Sequence, residues 1–188
     1  MTLRARPYRS VLYIPGSRDR ALEKAKELPA DAIIFDLEDA VAVEEKVNAR
    51  TLLAERLAEG GYGNRALIVR INGMDTPWGA EDLAAMMEIG PEAILLPKVG
   101  SAADVAAVAA RLDAHPKTAS TQIWAMMESP VGILNAAEIA RAPRMAGFVM
   151  GTNDLAKDLG CRTRGAMQMA LQHCLLAARA AGIVCVDG

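Results

Sequence analysis

The chain has 188 residues, 52% of them apolar and 23% charged, with a formal net charge of -2. That composition suits one soluble globular domain, covering residues 1-188, and gives no electrostatic reason to expect nucleic acid or an anionic membrane as partner. No apolar run approaches the ~18 residues of a membrane-spanning helix, and the basic start Met1-Thr2-Leu3-Arg4-Ala5-Arg6-Pro7 lacks the apolar stretch of a secretory signal, so a cytoplasmic location is expected.

In chain order, a first apolar run, Ser10 to Ile14, leads into Pro15-Gly16-Ser17 and a helix over about 18-28. The second, Ala32 to Phe35, ends on Asp36-Leu37-Glu38-Asp39. A helix over about 44-58 follows, with Val47, Leu52, Leu53 and Leu57 inward and Glu44, Glu45, Lys46, Arg50, Glu55 and Arg56 outward, closed by Gly60-Gly61. The third run, Ala66 to Val69, ends on Arg70-Ile71-Asn72, and a helix covers about 78-89. The fourth, Ala93 to Leu96, ends at Pro97-Lys98, and Ser101 caps the Ala-rich helix 102-112. The fifth, Ile123 to Met127, ends on Glu128-Ser129, where Pro130 begins a helix to about Ala140. The sixth, Gly147 to Met150, ends on Gly151-Thr152-Asn153-Asp154, followed by a polar loop over about 157-164 and a helix over 165-180. The seventh is Ile183 to Val186.

Short, uniformly apolar runs alternating with amphipathic helices predict a parallel sheet buried on both faces. The fold expected is a TIM-type (β/α)8 barrel of which this chain carries about seven strands, since a closed barrel needs eight and usually ~250 residues. Two uncovered edges would invite aggregation, so a C-terminal strand and lid are expected to belong to a longer protein. Cys161, Cys174 and Cys185 are odd in number, widely spaced and without a C-x-x-C pair, which points to reduced thiols rather than disulfides or a zinc site.

In such a barrel, chemistry sits where the strands end. Glu128 and Asp154 end adjacent strands, and two carboxylates without histidine suit Mg²⁺ or Mn²⁺, with the remaining positions left for water and substrate. Either residue alone also reads as the cap of the helix that follows; the pair points to a metal. Arg70, within an apolar run, can grip a carboxylate with two parallel hydrogen bonds, or pair with Asp36, Glu38 or Asp39. Those three acids exceed what one cap needs, leaving some as partners of metal-bound water. Lys98 reads as a substrate contact rather than a Schiff-base lysine, because nothing nearby would depress its pKa. Backbone amides of Gly151, Thr152 and Asn153 suit an anionic oxygen. Arg18, Arg20 and Lys24 form either a solvated helix face or a phosphate contact. His115 and His173 read as structural.

Taken together, Tyr13-Ile14-Pro15-Gly16-Ser17, Phe35-Asp36-Leu37-Glu38-Asp39-Ala40-Val41, Val69-Arg70-Ile71-Asn72, Leu96-Pro97-Lys98-Val99, Met127-Glu128-Ser129 and Gly151-Thr152-Asn153-Asp154-Leu155 resemble the citrate lyase β-subunit-like group. That group includes the malyl-CoA lyases and belongs to the HpcH/HpaI aldolase superfamily. The resemblance runs from about residue 9 to the end. It implies a trimeric or hexameric barrel with Mg²⁺ on Glu128 and Asp154 and the oxo-acid carboxylate on Arg70. It also implies that Asp36 and Glu38 lie near the metal's water network, that basic residues near the first βα loop meet CoA, and that a C-terminal lid supplies an Asp to a neighbouring subunit's site. The activity it implies is carbon-carbon cleavage of a 3-hydroxyacyl-CoA such as malyl-CoA or citryl-CoA to acetyl-CoA and an oxo acid. The alternatives are a (3S)-malyl-CoA thioesterase using the same metal site, an aldolase acting on free pyruvate, and a subunit inactive outside a citrate lyase-type complex.

Overall fold

In the computed structural model, residues 7-188 are described. The N-terminal stretch tested for a signal lies, up to Arg6, outside them. Seven strands form one parallel sheet in sequence order: β1 (Val11-Pro15), β2 (Ala32-Asp36), β3 (Ala66-Arg70), β4 (Ala93-Leu96), β5 (Gln122-Met127), β6 (Met145-Met150) and β7 (Val184-Val186). The helices are α1 (Asp19-Ala25), α2 (Lys46-Glu59), α3 (Gly79-Ile89), α4 (Ala102-Asp113), α5 (Pro130-Leu134), α6 (Ala136-Ile139), α7 (Thr152-Asp158) and α8 (Gln168-Ala181). Among the described residues, no helix is long and apolar enough to cross a membrane, and all three cysteines are free thiols.

Both faces of the sheet are buried, which is why the strand sequences show no alternation. One apolar cluster, including Ile33, Phe35, Val69, Ile94 and Ala125, packs under the helices. The other, including Ala32, Ile34, Ala66, Ile68, Leu95, Trp124, Met126 and Val149, fills the concave side. Within it Trp124 lies over Gly147, where an added Cβ would come within 2.6 Å of the indole, and Tyr8 meets the same ring edge-on at 5.1 Å. The sheet curls until residues of both edges, Val11 and Leu12 of β1 and Cys185 and Val186 of β7, line one cavity of about 710 Å³. The expected seven-stranded part of a barrel is thus what the chain forms.

Because all seven strands run parallel, the residues that follow them gather at one end of the sheet, and strand parity decides which of them face the concave side. Because successive strand residues alternate faces, the concave series Ala32-Ile34 continues to Asp36, Ala66-Ile68 to Arg70, Trp124-Met126 to Glu128, and Gly147-Val149 to Gly151. Asp36 and Arg70 are direct partners in the β2-β3 register.

Four local readings need correction. Val47 is 55% exposed, whereas Lys46 is buried on the face of Ala49, Leu53 and Leu57; Leu52, Leu53 and Leu57 face inward as expected, and only the first turn of α2 differs, with Lys46 inward in place of Val47. The helix beginning at Pro130 breaks at Asn135, whose side-chain amide donates to the Gly100 carbonyl at 2.8 Å. Part of the polar loop after β6 is helical, as α7. The helix over 165-180 instead starts with a 3-10 turn over Arg164-Met167 and becomes α-helical at Gln168. The capping box at Ser101, with Asp104, is as expected.

Candidate active site

A cavity of about 440 Å³ opens at the C-terminal ends of the strands, lined by Tyr13, Asp36, Arg70, Glu128, Gly151 and Asp154 among others. Larger hollows lie on the outer helices and between the sheet edges, but they lack this convergence of charged groups.

On the β2-β3 side every strong charge has a partner. Arg70, 7% exposed, makes a two-pronged pair with Asp36 through Nε-Oδ1 at 2.7 Å and Nη2-Oδ2 at 2.5 Å. Asp36 is also buried, and its two oxygens further accept the amides of Glu38 (2.9 Å) and Ala40 (3.0 Å). Four donors satisfy this carboxylate and set the shape of the loop after β2. The other terminal nitrogen of Arg70, Nη1, donates to the exposed Asp39 at 3.2 Å. The same nitrogen lies 3.1 Å from Glu38 Oε2 without hydrogen-bond alignment, so Oε2 is a buried oxygen lacking a hydrogen-bond partner. Burial is the main reason the Glu38 carboxyl is pushed up to about 7; Arg70 opposes it, and Asp39 and Glu128 add to it. Tyr13 packs its ring under Arg70, 5.2 Å from centroid to guanidinium carbon, and burial raises its phenol.

The β5-β6 side differs. Glu128 is 4% exposed and accepts the Lys98 backbone amide on Oε1 at 2.7 Å. Burial raises its pKa against the pull of that amide, and Asp154 raises it further. Gly151 keeps the space beside Glu128 open, since an added Cβ would lie 2.7 Å from Oε2. Gly151, Thr152 and Asn153 line the same cavity. Lys98 contributes through its backbone. It sits at φ 51, a conformation that L residues seldom adopt. Its side chain is 65% exposed, and Nζ is 4.0 Å from Glu38 Oε1.

Does this set suit a divalent cation? Asp36, Glu38, Asp39, Glu128 and Asp154 face two nearby cationic side chains, Arg70 and Lys98, so negative charge predominates. The excess is concentrated on Glu128 and Asp154, both all-oxygen donors suited to a hard cation. Among the described residues, no cluster of three or more His, Cys, Asp or Glu forms a complete cage. The fit is therefore to an ion held by two carboxylates, with its other positions left to water and ligand.

Arg18, Arg20 and Lys24 are exposed on and just before α1 and do not line the cavity. His115 pairs with Glu88 at 3.0 Å, away from the cavity. Sequence reasoning gave no site role to Tyr13, nor to Lys46, Asn72 and Asp82, which hold the loop after β2 from behind. Counting by twos along β1 would have found Tyr13. The others act through backbone atoms and leave no pattern in sequence.

The profile of the HpcH/HpaI aldolase/citrate lyase family matches residues 9-188. The chain is 60% identical over 191 aligned residues to a (3S)-malyl-CoA thioesterase of Cereibacter sphaeroides (strain KD131 / KCTC 12085), covering 100% of this chain and 65% of that protein. It is 38% identical over 188 residues to the citrate lyase subunit beta of Leuconostoc mesenteroides subsp. cremoris, covering 95% of this chain and 62% of that one. The chain thus spans about two thirds of the length of these curated relatives. The structure superposes on the M. tuberculosis citrate lyase beta subunit complexed with oxaloacetate and magnesium with a TM-score of 0.81 at 32% identity, over 100% of this chain and 80% of that one.

Proposed function

Since this chain belongs to the HpcH/HpaI aldolase/citrate lyase family, we propose that it is the metal-bearing barrel of an enzyme that hydrolyses the thioester of (3S)-malyl-CoA to malate and CoA. The expectation of a carbon-carbon lyase as the main activity is corrected here: it is overturned by 60% identity, over the whole chain, to (3S)-malyl-CoA thioesterases, against 38% to the citrate lyase subunit. The alternative drawn from the same metal site takes its place.

The observation that carries the reading at the site is the pairing of an anionic, cation-fitting edge with the Glu38 carboxyl beside Arg70, which burial pushes up to about 7. Glu128 and Asp154 would hold magnesium, the ion in the related complex. When bound, it would supply positive charge to substrate oxygens as they gain negative charge. Arg70 orients the malyl carboxylate: its Nη1 edge, engaged only by the exposed Asp39 and by Glu38, is the part an incoming carboxylate can take over. Asp36 holds the guanidinium, and four donors occupy its two oxygens. Glu38, beside the cavity and next to Arg70, is the carboxylate that accepts the proton of the attacking water. A carboxylate near neutrality is a stronger base than one at its ordinary value, yet is still ionised at physiological pH in a substantial fraction of molecules. Water oxygen bonds to the thioester carbon, the carbon-sulfur bond breaks, and the proton reaches the departing thiolate. Arg18, Arg20 and Lys24, on the rim beyond β1, suit the phosphates of CoA.

The test is to supply malyl-CoA with and without Mg²⁺ and follow malate, free thiol, oxo acid and acetyl-CoA together. Malate and thiol in equal amounts, only with metal, are expected. Oxo acid and acetyl-CoA in their place would overturn the reading.

A further inference from the structure

The apolar face that α2 turns to the sheet begins with a lysine. Lys46, Ala49, Leu53 and Leu57 share that face, and all four are buried. An ammonium in such a place costs several kcal/mol unless it is well partnered. Burial does lower the Lys46 pKa, against the pull of Glu38, Asp36, Asp82 and Asp39. Its hydrogen bonds go to the backbone: Nζ donates to the carbonyls of Leu37 at 3.0 Å and Glu38 at 2.6 Å. The Trp78 ring lies 5.7 Å from it. An apolar side chain would continue the stripe at no such cost.

Those two carbonyls belong to the loop that presents the acids. The Leu37 carbonyl takes a second donor, Asn72 Nδ2, at 2.9 Å. Asn72 is in turn held by the fully buried Asp82, which accepts its side-chain amide at 2.6 Å and its backbone amide at 3.1 Å. Arg50 Nε donates to the other Asp82 oxygen at 2.7 Å. The Leu37 amide donates to the Arg70 carbonyl at 2.9 Å. Residue 37 is therefore fixed by three backbone hydrogen bonds, and Glu38 by Lys46 on one side and Asp36 on the other.

We propose that Lys46 is a positioning residue of the hydrolytic site: its ammonium, seated on the Leu37 and Glu38 carbonyls, fixes the 36-39 loop in the orientation from which Glu38 and Arg70 meet substrate. The inference rests on the hydrolase reading for its kinetic consequence. Its structural claim stands separately. Lys46 carries the charge that the loop's carbonyls and nearby acids face from behind, as Arg70 does from the cavity side.

The experiment uses the intact protein with Lys46→Met, Lys46→Gln and Lys46→Arg, and Val47→Ala as the control on the exposed side of α2. Hydrogen exchange over residues 36-42 reads the loop directly through the bonded amides of Glu38, Ala40 and Val41. Lys46→Met is expected to exchange at least about tenfold faster there, with α8 unchanged, a local opening of the kind exchange resolves. At saturating Mg²⁺, kcat for malyl-CoA is expected to fall on the order of 10-100-fold with KM within about threefold, the signature of misplaced rather than missing groups. Lys46→Arg should restore most of both, and Val47→Ala should change neither. If the methionine variant does not fold, Lys46→Gln, which keeps a donor but no charge, decides: lowered kcat with a native melt supports the proposal, and wild-type kcat overturns it. Unchanged exchange over 36-42 in folded Lys46→Met, or arginine rescuing no better than glutamine, also overturns it. A wild-type protein that hydrolyses no malyl-CoA sinks the hydrolase reading instead, while the exchange result still decides the loop claim.

Discussion

The two sides of the cavity are built to opposite rules. On the β2-β3 side, Arg70 and Asp36 complete each other with paired bonds, loop amides occupy the rest of Asp36, and Lys46 and Asn72 grip the backbone behind it. On the β5-β6 side, Glu128 and Asp154 stand near each other, with one backbone amide as hydrogen-bonded support for Glu128. A buried charge that is fully partnered serves as scaffold, whereas a pair of like charges without a counter-ion makes a ligand site. On the proposed reading, the contrast separates a side that the protein finishes for itself, with only the Nη1 edge of Arg70 offered to substrate, from a side left for a cation.

The sharpest way to break that contrast is at Glu128. Glu128→Gln and Asp154→Asn are each expected to lower Mg²⁺-dependent turnover on the order of 10³-fold or more. In metal-free protein each should raise the melting temperature, because the like-charge repulsion is gone. Steady-state kinetics and thermal melts with and without Mg²⁺ read both effects. Arg70→Met attacks the finished side and should behave in the opposite way. It leaves Asp36 buried without its cation, so unfolding free energy should drop by about 3-5 kcal/mol, together with a rise in KM for malyl-CoA. Denaturant melts check the first effect and kinetics the second.

Glu38 joins the two sides, and its expected behaviour is a trade. Its carboxyl sits at about 7 in the folded protein against an ordinary 4.5, so the folded state binds more protons between those values and stability falls as pH rises through that window. Glu38→Gln should therefore be more stable than wild type at pH 8, on the order of 1-2 kcal/mol, while losing about 10²-fold in kcat. In wild type, kcat/KM should climb as pH passes about 7. The variant should lack that limb, which a pH-rate profile tests. The smallest effect is expected at Lys98. Its amide matters and its side chain is exposed, so Lys98→Gly should keep activity within about threefold and gain up to about 1 kcal/mol from relief of the positive φ. A larger loss of activity would assign the side chain a direct role.

Much of this is legible in the sequence. Seven apolar runs became the seven strands because both faces of a curled parallel sheet are buried, and the polar residues after the runs fall at one end because the strands are all parallel. Glu128, Asp154, Arg70, Asp36 and Glu38 meet as the strand order requires. Lys46 and Val47 exchange their expected places in the first turn of α2 because the Leu37 and Glu38 carbonyls offer an inward ammonium partners, and nothing in the sequence of the helix encodes those partners. The use of the Lys98 amide rather than its ammonium depends on a backbone angle that no side-chain pattern encodes. Hydrolysis versus carbon-carbon cleavage is not legible either, since the same acids and arginine serve both; the 60% identity to a (3S)-malyl-CoA thioesterase, against 38% to a citrate lyase subunit, is what supports proposing hydrolysis.

Calorimetric titration of Mg²⁺ into wild type, Glu128→Gln and Lys98→Gly tests the division of labour between the two sides most directly. Binding lost in Glu128→Gln and unchanged in Lys98→Gly is the expected result. Mg²⁺ bound by Glu128→Gln with wild-type affinity would contradict it, and would move the metal away from the β5-β6 edge.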